Sequence, residues 1–506
     1  MSTSIVAAPA TNRAHRYRWW ALAVLMFPVF LISIDNTVLA FALPNIAEDF
    51  RPSAATQLWI VDVYSLVLAT LLVMMGSLGD RFGRRRLLLI GTIGFAVVST
   101  AAAFAPSAAY LVAARAALGV FGAMLMPSTL SLIRNIFSDD NSRRLAIAIW
   151  ASCFTAGSAL GPIIGGALLQ HFHWGAVFLI AVPLLLPLLA LAPKLVPESR
   201  DPNPGPIDAV SVLLSLTTML PIVWAIKAVA HDGLSTPVVG AAVVGIASGI
   251  WFVQRQNRSI TPMLDMRLFG YGPFTASILA NFLSIVGLIG FLFFVSQHLQ
   301  LVLGLSPLNA GLVTLPGAVV SMVAGMGVVR LTRRYAPQTL MIVGLILVAG
   351  GFLMIFAFRH DLTVSAVIAS FVVLELGIGV SQTISNDTIV AAVPAAKSGA
   401  ASAVSETAYE LGAVVGTAIL GSIFTAFYRS NIALPEVLTR EQAADAGESI
   451  GGATSVAATL PAELGDRLIE SARTAFDSGI APTSIIAAAL ALAAAVVVHG
   501  VYRRLG

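Results

Sequence analysis

Long apolar runs separated by short polar segments make up most of this chain. A membrane-spanning helix needs about 20 mostly apolar residues, and fourteen stretches approach or exceed that length. Backbone groups in hydrocarbon must be hydrogen-bonded within the chain, so these runs are expected to be helices rather than open strands. The pattern therefore predicts an all-α, polytopic membrane protein. The predicted spans are 20–43, 57–79, 87–105, 109–135, 145–169, 174–192, 207–230, 237–254, 274–302, 307–329, 338–358, 364–390, 398–428 and 483–502.

The amino-acid composition supports lipid as the main solvent. Of 506 residues, 58% are hydrophobic and 11% are charged, whereas soluble domains carry roughly 25% charged residues. The mean hydropathy is +0.89. A single cysteine, Cys153, excludes a disulfide framework. We attribute the net charge of +4 to basic loops and expect no nucleic-acid partner.

Basic residues concentrate on the side of the membrane that carries the N-terminus. Most of the 29 lysines and arginines lie in the leader 1–19, in every second loop after it and in the tail 503–506. Cytoplasmic loops of membrane proteins carry such an excess of positive charge. Both termini are therefore predicted to be cytoplasmic, as an even number of spans requires.

One long segment departs from this pattern. The loop 429–482 is rich in acidic residues and is expected outside the membrane on the opposite side. Within it, 468–476 could form a short amphipathic surface helix. We interpret the loop as a solvated connection; a cap over the exit or a cation-attracting surface is the alternative.

A glycine- and arginine-rich motif lies between the second and third spans. It reads Gly76-Ser-Leu-Gly-Asp-Arg-Phe-Gly-Arg-Arg-Arg86. Its glycines permit a tight turn and close helix approach, and Asp80 can pair with arginines or face a helix N-terminus. The string resembles the GxLaDrxGrkxx signature of the major facilitator superfamily. The residues that carry the motif are Gly76, Gly79, Asp80, Arg81, Gly83, Arg84 and Arg85.

The resemblance to this superfamily implies two six-helix bundles that rock about a central cavity. The glycine- and arginine-rich loop would then be a cytoplasmic latch of the outward-open state. The corresponding loop 325–334 keeps the basic residues but lacks the aspartate. That difference indicates an internal duplication in which the first half retains the latch.

A second glycine motif lies in the fifth span. Glycines there allow another helix to approach closely, and Pro162 is expected to bend the helix. The string resembles the GxxxGPxxGG motif of antiporters within the superfamily; a packing role without any bias toward export is the alternative. The motif residues are Gly157, Gly161, Pro162, Gly165 and Gly166.

With fourteen spans, the chain resembles the fourteen-helix drug:proton antiporters, the family of quaternary-ammonium exporters. The stretch 35–44 is similar to that family. The stretches 44–78 and 399–421 resemble mycobacterial multidrug pumps. The resemblance implies a functional monomer in a bacterial cytoplasmic (inner) membrane. The implied organisation is a leader 1–19, a first bundle 20–196, a linker 197–206, inserted helices 207–254, a loop 255–273, a second bundle 274–502 and a tail 503–506.

Ionisable residues inside the spans are the candidates for chemistry. Each costs about 2.5–3.5 kcal/mol at mid-bilayer on insertion scales and is functional by default. Glu406 and Glu410 are spaced i, i+4 and should project from one helix face. Asp62 could instead reach the outer interface, and Asp387 is expected to cap or pair near the cytoplasmic end of its helix. The candidates are Asp35, Asp62, Arg115, Glu375, Glu406 and Glu410.

These carboxylates suggest that a lipophilic cation and protons compete for one site. Cavity aromatics would bind flat cations through apolar burial and cation–π contacts, and Arg115, by the family resemblance, would tune proton transfer at a nearby acid. The candidate aromatic residues are Trp59, Tyr64, Phe154 and Tyr409.

The expected driving force is the proton gradient, with no cofactor and no metal. The sequence has no GxxxxGK[ST] string for a nucleotide and no nucleophile elbow for an enzyme. The family resemblance implies export of quaternary ammonium compounds, ethidium, acriflavine and fluoroquinolones. Uptake symport of a small metabolite, or export of lipid or peptide, remains the alternative.

Overall fold

The computed structural model describes residues 12–50, 54–202, 208–259, 262, 264–394 and 398–504. Every regular element in these ranges is helical. A 3-10 turn spans Met266–Gly270 and a π-helical turn spans His298–Val302. The α-helices are α1 (Asn12–Phe50), α2 (Ala54–Phe82), α3 (Arg84–Ala103), α4 (Ala108–Ile136), α5 (Asp140–His171), α6 (Ala176–Leu179), α7 (Ala181–Leu195), α8 (Ala209–Asp232), α9 (Thr236–Arg258), α10 (Gly272–Gln297), α11 (Pro307–Leu331), α12 (Pro337–Phe358), α13 (Val364–Ala391), α14 (Ser398–Asn431), α15 (Arg440–Glu448), α16 (Ile450–Ala457) and α17 (Ala462–Arg503).

The predicted membrane spans correspond to these helices. Within the described ranges, 13 helical segments are long and apolar enough to cross a membrane, and α8 adds a slightly shorter apolar stretch, Val210–Ile226. The sixth predicted span is divided between α6 and α7. Pro183 explains the division, because it has no N–H to bond the carbonyl of Leu179 four residues earlier. The prediction of an all-α polytopic membrane protein is confirmed.

Buried side chains form separate apolar clusters in the two halves of the chain. One large cluster is built mainly from α1–α5, α6 and α7. Further clusters are built from α10–α14 and α17. Between the halves, α2 packs against α14 and α5 packs against α11. We call the helices α1–α7 the first bundle and α10–α14 with α17 the second bundle.

The two inserted helices, α8 and α9, pack against each other. Gly245 and Gly249 of α9 face Thr218 of α8, so the helices approach closely. At one end Arg255 donates to Asp208 at 2.7 Å and holds the pKa of that carboxyl well below its usual range. Because α8 also contacts α2 and α14, the pair lies beside the seam between the bundles.

The acidic segment after α14 is folded, which corrects our interpretation of it as a solvated connection. It contains α15, α16 and the first part of α17. Ile450, Leu468 and Phe476 are buried in the core of the second bundle, and the Tyr428 hydroxyl donates to the carbonyl of Ala446 at 2.9 Å. The segment is amphipathic, and its apolar face gains its stability from tertiary packing. We call α15, α16 and the first part of α17 the helical cap.

The last helix is also longer than predicted. It begins at Ala462 rather than near 483, so the stretch 468–476 is helical but continuous with the final span. Its polar positions lie among good helix formers such as alanine, leucine and glutamate, which extend the helix beyond the apolar run.

Glycines of the second motif bring α5 against α1. Gly157 faces Ser33, Gly161 faces Thr37 and Gly165 faces Val38, whereas a side chain at Gly166 would enter open space within the described structure. α5 runs from Asp140 to His171 without interruption; the side chain of Pro162 lies outside the described residues. Three glycines four residues apart therefore form the contact.

Alanine at Gly157 is expected to destabilise this contact. The added methyl group would meet the Phe30 carbonyl oxygen at 2.8 Å, as well as the Ser33 hydroxyl. Overpacking costs about 1–3 kcal/mol, so the unfolding temperature of the detergent-solubilised protein should fall. Gly166→Ala is the matched control and should leave that temperature unchanged or raise it, because alanine favours helices. Equal unfolding temperatures for the two variants would contradict this account.

Candidate functional site

A buried ion pair links α1 to α4. Arg115 Nη1 donates to Asp35 Oδ2 at 2.7 Å, and the two residues are 2% and 7% exposed. Arg115 Nε also donates to the Ile60 carbonyl at 3.3 Å. The pair is therefore formed entirely within the first bundle.

Tyr64 of α2 covers this ion pair. The Arg115 guanidinium lies 4.4 Å from the centroid of the Tyr64 ring, a cation–π contact that stabilises the buried charge. Tyr64 is within electrostatic range of both Asp35 and Glu410 of α14. Tyr64 thus packs on the ion pair of the first bundle and lies in the same region as an acid of the second.

A small cavity of about 10 Å³ lies between the bundles. Glu406 of α14 lines it from the second bundle and is 5% exposed. Phe154 of α5 meets Tyr409 of α14 edge-on at 5.2 Å and stacks on Trp150 at 6.4 Å, measured between ring centroids. The cavity therefore combines a carboxylate with aromatic rings from both bundles.

Two further acids lie close to this cavity. Glu375 of α13 is 4% exposed. Gly317 allows α11 to pass closely over Phe371 and Glu375. Tyr409 is within electrostatic range of Glu375, Glu406 and Glu410. The three candidate acids of the second bundle therefore lie in the same region as Tyr409.

Neutral amides complete the cavity, and the sequence analysis did not identify them. Asn281 of α10 and Gln382 and Asn386 of α13 line it beside Glu406. Trp150 was also missed; its indole N–H donates to Thr129 at 3.0 Å. Their signal in the sequence was the presence of amide side chains within apolar spans, where the prediction considered only charged residues.

Two of the remaining candidates are not placed in the cavity. Trp59, near the start of α2, is 42% exposed and is not among the cavity-lining residues described above. Tyr64 packs on Arg115 instead. The side chain of Asp62 lies outside the described residues. Of the candidate aromatics, Phe154 and Tyr409 are therefore the two that line the cavity.

The first motif joins the bundles at one end of the molecule. At this end α2, α4 and α13 finish and α3, α5 and α14 begin; we call it the arginine-rich end. Asp80 accepts hydrogen bonds from Arg84 Nη2 at 2.6 Å and from the backbone N–H groups of Gly399 and Ala400, each at 3.1 Å. The carboxylate thus meets an arginine and the N-terminus of α14, where the helix dipole favours negative charge.

Glycines make this contact possible. A side chain at Gly399 would collide with Asp80, and one at Gly76 would meet the Gly399 carbonyl at 2.6 Å. Gly83 has a φ of 108°, in a region that favours glycine. Gly79 and Arg81 lie in the last turns of α2, where the Arg81 guanidinium is 5.8 Å from the Phe82 ring centroid.

The start of α3 is also tied to the end of α7. The Arg85 backbone N–H donates to Glu198 at 3.0 Å, and its guanidinium donates to the Val196 carbonyl at 3.0 Å. Arg84 Nη1 donates to Ser199 at 3.0 Å. The motif therefore links the start of α3 to the segment after α7 within the first bundle, and it also contacts the second bundle.

A second ionic contact crosses between the bundles at the arginine-rich end. Asp387 of α13 accepts from Arg143 Nε at 2.7 Å and from Arg144 Nε at 2.8 Å, both on α5. Arg144 also donates to Thr332, just after α11, at 3.2 Å. Asp387 pairs as the sequence suggested, and its partners belong to the other bundle.

Comparison with known proteins identifies the family to which this architecture belongs. A family model described as Major Facilitator Superfamily matches residues 25–417. The chain belongs to the Major Facilitator Superfamily. The resemblance found in the sequence is confirmed, and the chain is a multi-pass membrane transporter of that superfamily.

Individual relatives in the superfamily are similar over almost the whole chain. The sequence is 75% identical over 504 residues to the multidrug efflux pump LfrA of Mycolicibacterium smegmatis, covering 100% of both chains. It is 35% identical over 479 residues to the methyl viologen resistance protein SmvA of Salmonella typhimurium, covering 91% of this chain and 93% of that one. The crystal structure of the human organic anion transporter MFSD10 (TETRAN) matches with a TM-score of 0.63 at 14% identity, covering 95% of this chain and 99% of that one.

Neutralising Asp35 is expected to destabilise this superfamily member through Arg115. In Asp35→Asn the guanidinium stays buried without its carboxylate, which costs about 3–5 kcal/mol. The double variant Asp35→Asn/Arg115→Gln removes both charges and should recover most of that loss. Denaturant unfolding in detergent measures the cycle; additive effects of the two substitutions would show that the pair does not interact.

Proposed function

We propose that this chain is a proton-coupled antiporter that exports lipophilic, mainly cationic drugs and dyes by alternating access. The proposed cargo includes quaternary ammonium compounds, ethidium, acriflavine and fluoroquinolones. The observation that carries the proposal is the cavity between the bundles, where Glu406 lies beside aromatic rings of both. The 75% identity to a protein named as a multidrug efflux pump supports the same conclusion.

The cavity chemistry favours flat cations. Phe154 and Tyr409 offer ring faces and edges from opposite bundles, and aromatic faces attract cations. Glu406 supplies the opposite charge. Contacts of this kind depend little on the shape of the cargo, which suits a transporter of structurally diverse drugs.

Competition between proton and cargo follows from burial. An unpaired charge is costly to bury, so a buried acid such as Glu406 is expected to hold either a proton or a cation. A drug entering from the cytoplasm would displace protons from the acids around Tyr409, and protons entering from outside would displace the drug. The gradient supplies about 2.3 kcal/mol per charge for each 100 mV of membrane potential.

The bundles are joined at the arginine-rich end, which fits the stage of this cycle in which that end is closed. At about 10 Å³, the cavity is far smaller than the roughly 300–1,000 Å³ of ordinary ligand pockets. Asp80 and Asp387 join the bundles at the arginine-rich end. Under the proposal this end faces the cytoplasm, both termini lie there, and its contacts break to admit cargo.

We also propose an orientation, a membrane and an oligomeric state for the chain. The arginines at this end, including Arg84, Arg85, Arg143 and Arg144, agree with the excess of positive charge in cytoplasmic loops. We place the chain in a bacterial cytoplasmic membrane, acting as a monomer in the lipid bilayer without a cofactor.

Export should depend on the proton gradient. In proteoliposomes that hold the protein in a uniform orientation, an imposed pH gradient should drive ethidium movement against its concentration gradient, with protons moving the opposite way. Ethidium fluorescence and an entrapped pH dye measure the two fluxes. A protonophore should stop accumulation; accumulation that is indifferent to it would contradict proton coupling.

Removal of the Glu406 charge should weaken the binding of cations. A charge-assisted contact contributes about 1.5–3 kcal/mol, so the Kd for ethidium should rise about tenfold to a hundredfold in Glu406→Gln. The matched control is Glu463→Gln in the helical cap, an acid whose side chain is 80% exposed. Equal ethidium affinity in both variants, measured by fluorescence titration in detergent, would remove Glu406 from the binding site.

A further inference from the structure

A buried hydrogen bond lies directly behind the aromatic side of the cavity in the first bundle. Trp150 of α5 lines the cavity and is 3% exposed. Its indole Nε1–H donates to the Thr129 hydroxyl of α4 at 3.0 Å. Thr129 is fully buried and is not among the cavity-lining residues described above. A residue outside the cavity therefore holds a residue that forms its wall.

The direction of this hydrogen bond is fixed by the chemistry of both groups. An indole N–H can only donate. The Thr129 hydroxyl donates its own hydrogen to the Met126 carbonyl at 2.8 Å, so its oxygen serves as the acceptor for Trp150. Turning the indole ring over would place a carbon rather than the N–H against that oxygen. A buried indole N–H needs such a partner, so the contact selects one orientation of the Trp150 ring.

That orientation defines a flat aromatic surface. The rings of Trp150 and Phe154, one turn apart on α5, are 20° from parallel, with centroids 6.4 Å apart. Phe154 in turn meets Tyr409 of the second bundle edge-on. A planar aromatic cation can stack on rings that share one orientation and gains cation–π attraction there. A cation whose rings project in several directions cannot make the same contact.

We propose that Thr129 is a positioning residue that sets the preference of the site for planar aromatic cations by fixing the Trp150 ring. This inference rests on the proposed function and adds a determinant of cargo preference to it. Thr129 acts through Trp150 and does not itself touch the cargo. Both residues belong to the first bundle, so they keep their contact when the bundles move relative to each other.

Two cations of different shape test this role. Ethidium has a flat phenanthridinium ring system, whereas tetraphenylphosphonium carries its phenyl groups around a tetrahedral phosphorus. Thr129→Val keeps the shape of the side chain and removes the hydroxyl. In proteoliposomes with a pH gradient, this variant should raise the KM for ethidium about threefold to tenfold, since one neutral hydrogen bond is lost. The KM for tetraphenylphosphonium and both kcat values should change less than about twofold, because only a binding contact is removed.

Two further variants separate positioning from folding. Thr129→Ser keeps the acceptor oxygen and should have the wild-type KM for ethidium. Thr92→Val is the matched control, because it removes a buried hydroxyl of α3 that donates to the Leu88 carbonyl instead. It should keep both wild-type KM values. A serine variant that behaves like the valine variant would overturn the inference.

A double-mutant cycle assigns the effect to the Trp150 N–H. Trp150→Phe keeps an aromatic ring without an N–H and should itself raise the KM for ethidium. Adding Thr129→Val to it should change that KM little further, since the hydrogen bond is already absent. The phenylalanine variant also tests the inference where the valine variant folds poorly.

Three results would overturn the inference while leaving the proposed function intact. They are equal changes in KM for the two cations in Thr129→Val, a wild-type KM for ethidium in Trp150→Phe, and additive effects of the two substitutions. If the wild-type protein exports neither cation, the proposed function itself fails, and the inference fails with it.

Discussion

The contact between Asp80 and the first turn of α14 is the constraint on which the arrangement of the site depends. It fixes the start of α14 against the end of α2 at the arginine-rich end. Farther along these two helices lie Tyr64 on α2 and Glu406 and Glu410 on α14. A carboxylate shared by an arginine and a helix N-terminus is strongly held, and here the arginine and the helix belong to different bundles. The same interaction can therefore close one end of the molecule and set the spacing of the acids within it.

The two bundles differ in the groups that surround their buried charged residues. In the first bundle Asp35 is compensated by Arg115, and Tyr64 covers the guanidinium. In the second bundle Glu406 lies beside Tyr409 and next to neutral amides. A compensated pair is costly to disturb, whereas an acid among neutral groups can exchange one cation for another. Under the proposed function, this difference would place the exchange of proton and cargo in the second bundle, with the first supplying aromatic surface and a fixed charge.

The sequence predicted the spans and the charged candidates because the bilayer imposes simple demands. Lipid requires long apolar runs, and a charge such as Glu375 within one is conspicuous. The helical cap was missed because short amphipathic helices gain stability from packing that the sequence does not display. Asn281 was missed because a neutral amide costs less to bury than a charge, and its hydrogen bond to Asn386 of another helix is visible only in the folded structure. The role of Tyr64 likewise depends on Arg115, which is distant in sequence.

The central claim is that the arginine-rich end opens and closes around a site divided between the bundles. Spin labels at Asn141→Cys on α5 and Arg333→Cys just after α11, in a Cys153→Ala background, report the distance across that end by pulsed electron–electron double resonance. We predict a short-distance population in the resting protein, with a longer-distance population that grows when ethidium is added and when Asp80→Asn removes the charge at the start of α14. A single distance that neither ethidium nor the Asp80 substitution alters would contradict the account.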